Sequence, residues 1–463
     1  MSPESQDTGS EGSRPPAWAR DAGPRDSSSS RTTPLDPERV GTQSGKASEA
    51  LPSKSADEVG LAPSLALQPP CAQPERAEPG TPIYLHLPFC ATKCPYCDFF
   101  SVAAEGQDVD GMVEHIVQEI RARAPERPRT VFLGGGTPSL LSAPQLEQVL
   151  NELDRVTNFR SSAVEVTAEC NPESLDVAKA RVLLDLGVRR LSIGLQSLRN
   201  DALKTFGRVH DAAQGLAAYD AARQAGADAV SVDLIYAYPG QTLASWEEDL
   251  ATILALGPDH LSAYNLTFEE NTPFKRWLDE GKLSPLHEDL ELDLFLTTRS
   301  ACSQAGLNAY EVSNYASIGQ QCAHNVNYWE NGPYVGIGPG AVSRVGPVRF
   351  GNPRALAAYR RWITNAGHAT AWDERLDPAS RLAETWWLGL RLAEGLEPAR
   401  ARRTAGFDGP VDPALPIAHG FETSGHLERC VGPEGEERWR LTESGLPLAD
   451  AIASKFLDGI TAT

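Results

Sequence analysis

The stretch Tyr84-Leu-His-Leu-Pro-Phe-Cys90-Ala-Thr-Lys-Cys94-Pro-Tyr-Cys97 decides how this chain is read. It sits on a short apolar, β-prone run, Ile83–Leu87, which predicts a strand. Three cysteines follow directly, spaced C-x3-C-x2-C. Three thiolates can hold three irons of a cubane cluster. The fourth iron then keeps an open position for a ligand, by the same logic as an open catalytic zinc site. A zinc site is the alternative reading. Zinc wants four closed ligands, and no fourth Cys or His follows within the usual reach. His86 reads as a strand side chain.

Outward from this segment, β-prone runs alternate with helical patterns. The predicted strands are 83–87, 130–133, 163–167, 190–193, 229–235 and 261–265. Met112, Val113, Ile116, Val117 and Ile120 recur at helical spacing. Ser142 and Gln145 are spaced as a capping box, with Pro144 in the first turn and Leu146, Val149, Leu150 and Leu153 on one face. Further helices are expected over 176–186, up to Gly226, and over 246–256. Such alternation implies a parallel sheet with right-handed crossovers. Six units fit a partial (β/α)6 TIM-like barrel, and a doubly wound sheet is the rival. In both, the active site sits at the C-terminal ends of the strands.

The expected organisation has four parts: a disordered low-complexity tail over 1–80, an α/β barrel over 81–300, an extension over 301–372, and a mostly helical, winged-helix-like C-terminal domain over 373–463. The tail is rich in Pro, Ser, Gly and charge, and its one short apolar patch is Leu61–Leu67. The chain of 463 residues carries 42 Lys and Arg against 62 Asp and Glu, a net charge of −20. That balance argues against a nucleic-acid partner. No apolar run reaches membrane-spanning length, and the N-terminus reads as neither a secretory signal nor a transit peptide, so the cytoplasm is the expected location. Of eight cysteines, five (Cys71, Cys170, Cys302, Cys322, Cys430) are scattered, so the tight triad reads as metal binding rather than a disulfide scaffold.

The triad and its surroundings resemble the radical S-adenosylmethionine (radical SAM) superfamily, in its branch of oxygen-independent coproporphyrinogen III oxidase-like proteins, and within it the HemW heme chaperones. The resemblance runs from Thr81 to Phe456. It implies a 4Fe–4S cluster on Cys90, Cys94 and Cys97, with S-adenosylmethionine chelating the open iron through its amino and carboxylate groups. One electron from the cluster would then break the sulfonium C–S bond and release a 5′-deoxyadenosyl radical. Tyr84 and Tyr96 match aromatic positions that contact S-adenosylmethionine. In Gly134-Gly135-Gly136-Thr137, glycines let the backbone approach a ligand and offer free N–H groups. By resemblance this loop meets the amino acid moiety of S-adenosylmethionine. A dinucleotide fingerprint is absent, and no Lys follows to make a P-loop. Glu169, Gln196, Arg208 and Asp233 are expected at strand ends, holding ribose, carboxylate and amino groups.

Two positions discriminate within the branch. The oxidases carry a further Cys two residues after the triad, where this chain has Phe99. The run His324-Asn325-Val-Asn-Tyr328-Trp329 fits the H-N-x-x-Y-W motif associated with heme in the chaperones. A neutral imidazole is a good axial ligand for heme iron, and the aromatics can cover a porphyrin face. One departure is Val342, which stands where relatives usually carry His after a glycine run, here Gly336, Gly338 and Gly340. Those glycines then read as turn residues, and Cys322 as buried packing or a soft iron ligand.

The resemblance therefore implies a heme chaperone, with heme, heme-accepting proteins and an electron donor as partners. Peripheral membrane association and a homodimer stay open. The alternative is the oxidase itself, decarboxylating propionates of coproporphyrinogen III. A binding protein without radical chemistry is a third reading, opposed by the intact triad and glycine loop.

Overall fold

Each of the six expected strands forms, and most run further toward the C-terminus than their apolar cores. They span Ile83–Leu87, Thr130–Gly135, Glu165–Cys170, Arg190–Gln196, Ala229–Tyr236 and His260–Asn265 in a computed structural model that describes residues 77–461. The expected disordered tail, up to residue 76, lies outside the described residues, as do Leu61–Leu67 and Cys71.

The six strands pair in parallel and in chain order. A doubly wound sheet would reverse its strand order at a switch point. No reversal occurs among these six, so the singly wound, barrel-type arrangement holds. The segment after residue 300 adds strands to both edges. Val335–Ile337 pairs in parallel with the first strand, while Asn314–Ala316 and then Asn308–Ala309 add antiparallel beyond the sixth, giving nine strands in one sheet.

Strand periodicity divides the side chains cleanly. Leu85, Val131, Leu133, Val166, Leu191, Ile193, Val230, Val232 and Leu261 are fully buried in the hydrophobic core beneath the outer helices. Helix Val109–Arg123 buries Met112, Val113, Ile116 and Ile120 in the same core. Each such side chain contributes roughly 1.5–3 kcal/mol. Alternate residues (Thr167, Glu169, Arg190, Ser192, Ser231, Asp233, His260, Ser262) instead line an internal cavity of about 310 Å³. The lumen is thus polar although the sheet is apolar outside.

Local signals set the helix boundaries. The Ser142–Gln145 capping box forms and starts helix Ala143–Thr157. Asp176 caps Val177–Asp185, and Gly226, at φ +91°, ends Ala212–Ala225. A second core gathers residues 382–460 around Trp386, Trp439 and Phe456. It is built from helices Pro378–Gly389, Pro398–Ala405, Ala414–Thr423 and Ala449–Thr461 with one hairpin, Leu427–Val431 against Glu437–Leu441. Among the described residues, no helix is long and apolar enough to cross a membrane.

Candidate functional site

The cysteines occupy the loop after the first strand, at the C-terminal mouth of the lumen. Cys90, Cys94 and Cys97 are all partly exposed. Each of Cys90 and Cys97 feels the charge of Cys94, and burial raises the Cys90 thiol and pushes Cys97 up to about 11. No three His, Cys, Asp or Glu side chains among the described residues converge as a single-ion site. A cubane takes one thiolate per iron and so spaces its ligands more widely than one zinc ion does. Three neighbouring soft donors on an open loop fit that larger group.

Neighbours on every side hold the loop. His86 accepts from the Tyr84 hydroxyl at Nδ1 (3.1 Å) and donates from Nε2 to the Phe100 carbonyl (2.8 Å). Burial lowers its pKa to about 4, which keeps the ring neutral for that pairing. His86 is therefore a tie between the first strand and the far end of the cysteine loop. Tyr96 packs edge-on against Phe206 and Phe274, with ring centroids 5.5 and 6.0 Å away. The Phe274 amide donates to the Pro95 carbonyl at 3.1 Å.

The glycine run departs from its expected form. Gly134 and Gly135 end the second strand instead of following it. Their N–H groups were expected to be free, but the protein uses them. Gly136 donates to the Leu87 carbonyl (2.9 Å), Thr137 to Phe89 (2.8 Å), and Gly135 to the Glu169 carboxylate (3.2 Å). Close approach explains the glycines. A Cβ at Gly136 would lie 2.5 Å from the Leu87 oxygen, and one at Gly135, where φ is +93°, would lie 2.3 Å from the His86 ring.

Glu169 and Asp233 both face the lumen, but Asp233 is in the middle of the fifth strand and not at its end. Burial, together with Asp233, pushes Glu169 up to about 8. Burial also lifts Asp233 to about 6, against hydrogen bonds from Ser262 and Ser192, the latter at 3.1 Å. Gln196 ends the fourth strand at φ +67°, where the register to the fifth strand shifts. A non-glycine residue at positive φ beside a site is a strained position held by its surroundings. Arg208 donates from Nη2 to Asn171 Oδ1 (2.6 Å) and the Gly194 carbonyl (3.1 Å), and Nη1 lies 3.7 Å from Cys94 Sγ.

His324 lies at the opposite end of the barrel. It belongs to helix Ala323–Trp329, which, with the residues leading into it, is tied to the first residues of three strands. Its Nδ1 meets Thr130 Oγ1 at 2.8 Å and its Nε2 meets the Tyr328 hydroxyl at 3.1 Å. The Glu165 carboxylate accepts from the Ala323 and His324 amides (2.8 and 3.2 Å) and from Cys322 Sγ (3.3 Å). Arg190 holds the Gln320 and Gln321 carbonyls at 3.0 and 3.3 Å. Thr130, Glu165 and Arg190 each begin a strand, so this helix stoppers the N-terminal mouth. His324 is 1% exposed and stacks on Phe132, and burial lowers its pKa to about 3. Cys322 is buried packing that donates to Glu165. The C-terminal region backs the stopper: Arg391, in the turn after helix Pro378–Gly389, covers the Trp329 ring at 4.8 Å, and Arg400 of helix Pro398–Ala405 pairs with Glu330 at 2.8 Å.

Of the glycines near Val342, Gly336 is a strand residue, not a turn residue. A Cβ there would lie 2.1 Å from the Val342 carbonyl oxygen. Gly338 and Gly340 do sit at positive φ.

Comparison with known proteins bears on the family and the fold. The Radical SAM superfamily model matches residues 84–253. The heme chaperone HemW of Escherichia coli K12 is 38% identical over 390 residues, covering 82% of this chain and 98% of that protein. The chain belongs to the HemW family of radical SAM proteins. The HemW chaperone of Lactococcus lactis is 32% identical over 374 residues, covering 81% of this chain and 96% of its own. The structure of Escherichia coli coproporphyrinogen III oxidase (HemN), described as a radical SAM enzyme, superposes with a TM-score of 0.70 at 21% identity. That alignment covers 83% of this chain and 91% of the other, and it shows a shared fold.

Sequence reasoning gave no role to Asn171, Thr130, Glu165 or Arg190. An Asn before Pro at a strand end was a readable sign for the first. The other three reveal themselves only through contacts more than 100 residues away in sequence.

Proposed function

We propose that this protein is a heme chaperone that carries a 4Fe–4S cluster with S-adenosylmethionine and delivers heme to acceptor proteins in the cytoplasm. The observation that carries the reading is the likeness to HemW chaperones over nearly their whole length. Cys90, Cys94 and Cys97 would hold the cluster. Tyr84, Tyr96, the turn at Gly135, Gly136 and Thr137, and Glu169, Gln196, Arg208 and Asp233 would surround S-adenosylmethionine at the C-terminal mouth. When bound, the cluster supplies a low-potential electron and an open iron. The chain's own residues do the rest. Glu169 and Asp233 hold protons or accept hydrogen bonds in a low-dielectric lumen, Arg208 places positive charge beside Cys94, and Phe99 stands 70% exposed at the mouth.

His324 is the proposed heme-associated residue. Thr130 holds Nδ1 and Tyr328 holds Nε2, so iron ligation by either nitrogen displaces one of these hydrogen bonds. Anaerobic reconstitution followed by heme titration tests the reading. The wild type is expected to bind heme and His324→Ala to lose it, with no turnover of coproporphyrinogen III. Turnover of that compound would replace the reading with the oxidase.

A further inference from the structure

We propose that Asn171 is a positioning residue that sets the reduction potential of the cluster by holding Arg208 against Cys94. The inference rests on the cluster reading above and concerns a residue with no role in it.

A polar chain runs from Thr137, beside Cys90, through Asn171 and Arg208 to Cys94. The Thr137 and Ser101 hydroxyls lie beside the Cys90 sulfur. Asn171 Nδ2 donates to Thr137 Oγ1 at 2.8 Å, and its Oδ1 accepts from Arg208 Nη2 at 2.6 Å. Arg208 Nη1 completes the chain 3.7 Å from Cys94 Sγ. One amide therefore spans both arms of the cysteine loop, with its donor and acceptor each committed. Pro172 follows it, and the turn Pro172–Ser174 begins there, so the Asn171 backbone is fixed. The Asn171 amide proton is also used, on Ser139 Oγ at 3.2 Å.

Arg208 is the reason this matters. Among the described residues it has no carboxylate within ion-pair distance. Its remaining hydrogen bond is to the Gly194 carbonyl, and the Tyr96 hydroxyl lies nearby. Glu173 and Asp233 act on this charge from beyond ion-pair distance, and its Nη1 arm is directed at a ligand sulfur. Hydrogen bonds and positive charge at the sulfurs favour the more negative, reduced cluster. Gly194 makes room for the arrangement, because a Cβ there would lie 2.7 Å from Gln196 Nε2 and 3.2 Å from Asn171 Oδ1. Without Asn171, Arg208 loses its shortest hydrogen bond and the partner that ties it to the glycine turn.

The test is a redox titration of the reconstituted full-length protein, followed by electron paramagnetic resonance of the reduced cluster. Asn171→Ala is expected to lower the midpoint potential. Arg208→Gln is expected to lower it too, and Asn171→Ala is expected to add nothing further in the Arg208→Gln background. A wild-type midpoint in Asn171→Ala, or an undiminished second shift in the double variant, overturns the proposal. If the alanine variant takes up iron poorly, Asn171→Ser, too short to reach both partners, is read by the same criteria. A wild-type protein without iron and sulfide would instead sink the cluster reading, so the two failures are distinguishable.

Discussion

Replacing Glu165 with alanine asks whether one carboxylate keeps the lower mouth of the barrel shut. Glu165 is 7% exposed, receives the Ala323 and His324 amides at 2.8 and 3.2 Å, and stands 3.5 Å from the Arg190 guanidinium. Removing one partner of a buried ion pair costs about 3–5 kcal/mol, because the other charge is left unpaired. Arg190 keeps the Gln320 and Gln321 carbonyls, which places the cost near the lower end. About 3 kcal/mol corresponds to roughly a hundredfold change in an opening equilibrium. The penalty falls on a helix of seven residues, so it should appear as local opening rather than global unfolding. Native-state hydrogen exchange reads it directly. Protection of the amides in Ala323–Trp329 should fall about a hundredfold, while those of Ala229–Tyr236 stay as in the wild type. Unchanged protection in the helix, or an equal loss in both segments, would refute the assignment of Glu165 as the latch.

Cys94→Ser should abolish incorporation of iron and sulfide, seen as loss of the cluster's visible absorption and of acid-labile sulfide; full sulfide content would contradict the ligand set. Glu169 has its folded pKa raised to about 8, so the native state binds more protons than the unfolded chain from about pH 4.5 upward to that value. Its contribution is therefore favourable below that window and is lost as pH rises through it, with the neighbouring Asp233 adding the same sign up to about 6. Glu169→Gln should flatten the decline in stability of the cofactor-free protein across that range, measured by urea unfolding at several pH values. Trp386 is fully buried and stacks on Phe456 at 5.1 Å. Trp386→Ala should destabilise the C-terminal helices by about 3–5 kcal/mol, checked by denaturant unfolding followed through far-ultraviolet circular dichroism.

The strands and outer helices were legible because their signals are local. Apolar alternation marks Ile83–Leu87, and a four-residue capping box marks the start of Ala143–Thr157. The cysteine triad is just as local. Less legible was the extent of the strands, since glycine and glutamate at 134, 135 and 169 look like loop and rim residues until the neighbouring strands pair with them. The free N–H groups of the glycine run could not be judged either, because their acceptors, Leu87 and Phe89, come from another strand and its following loop. The position of His324 was out of reach for the same reason. Its ring meets Thr130, 194 residues earlier in the chain, and only the assembled sheet with the helix packed on it brings them together.

A barrel sealed below and open above is a cul-de-sac. Among the described residues, the lumen opens past Phe99 and the cysteine loop, opposite the His324 helix. A broad flat guest resting across that doorway would imprison a smaller one already inside. Arrival must then be sequential, and departure must run in the reverse order, unless the floor at His324 lifts and turns the blind chamber into a corridor.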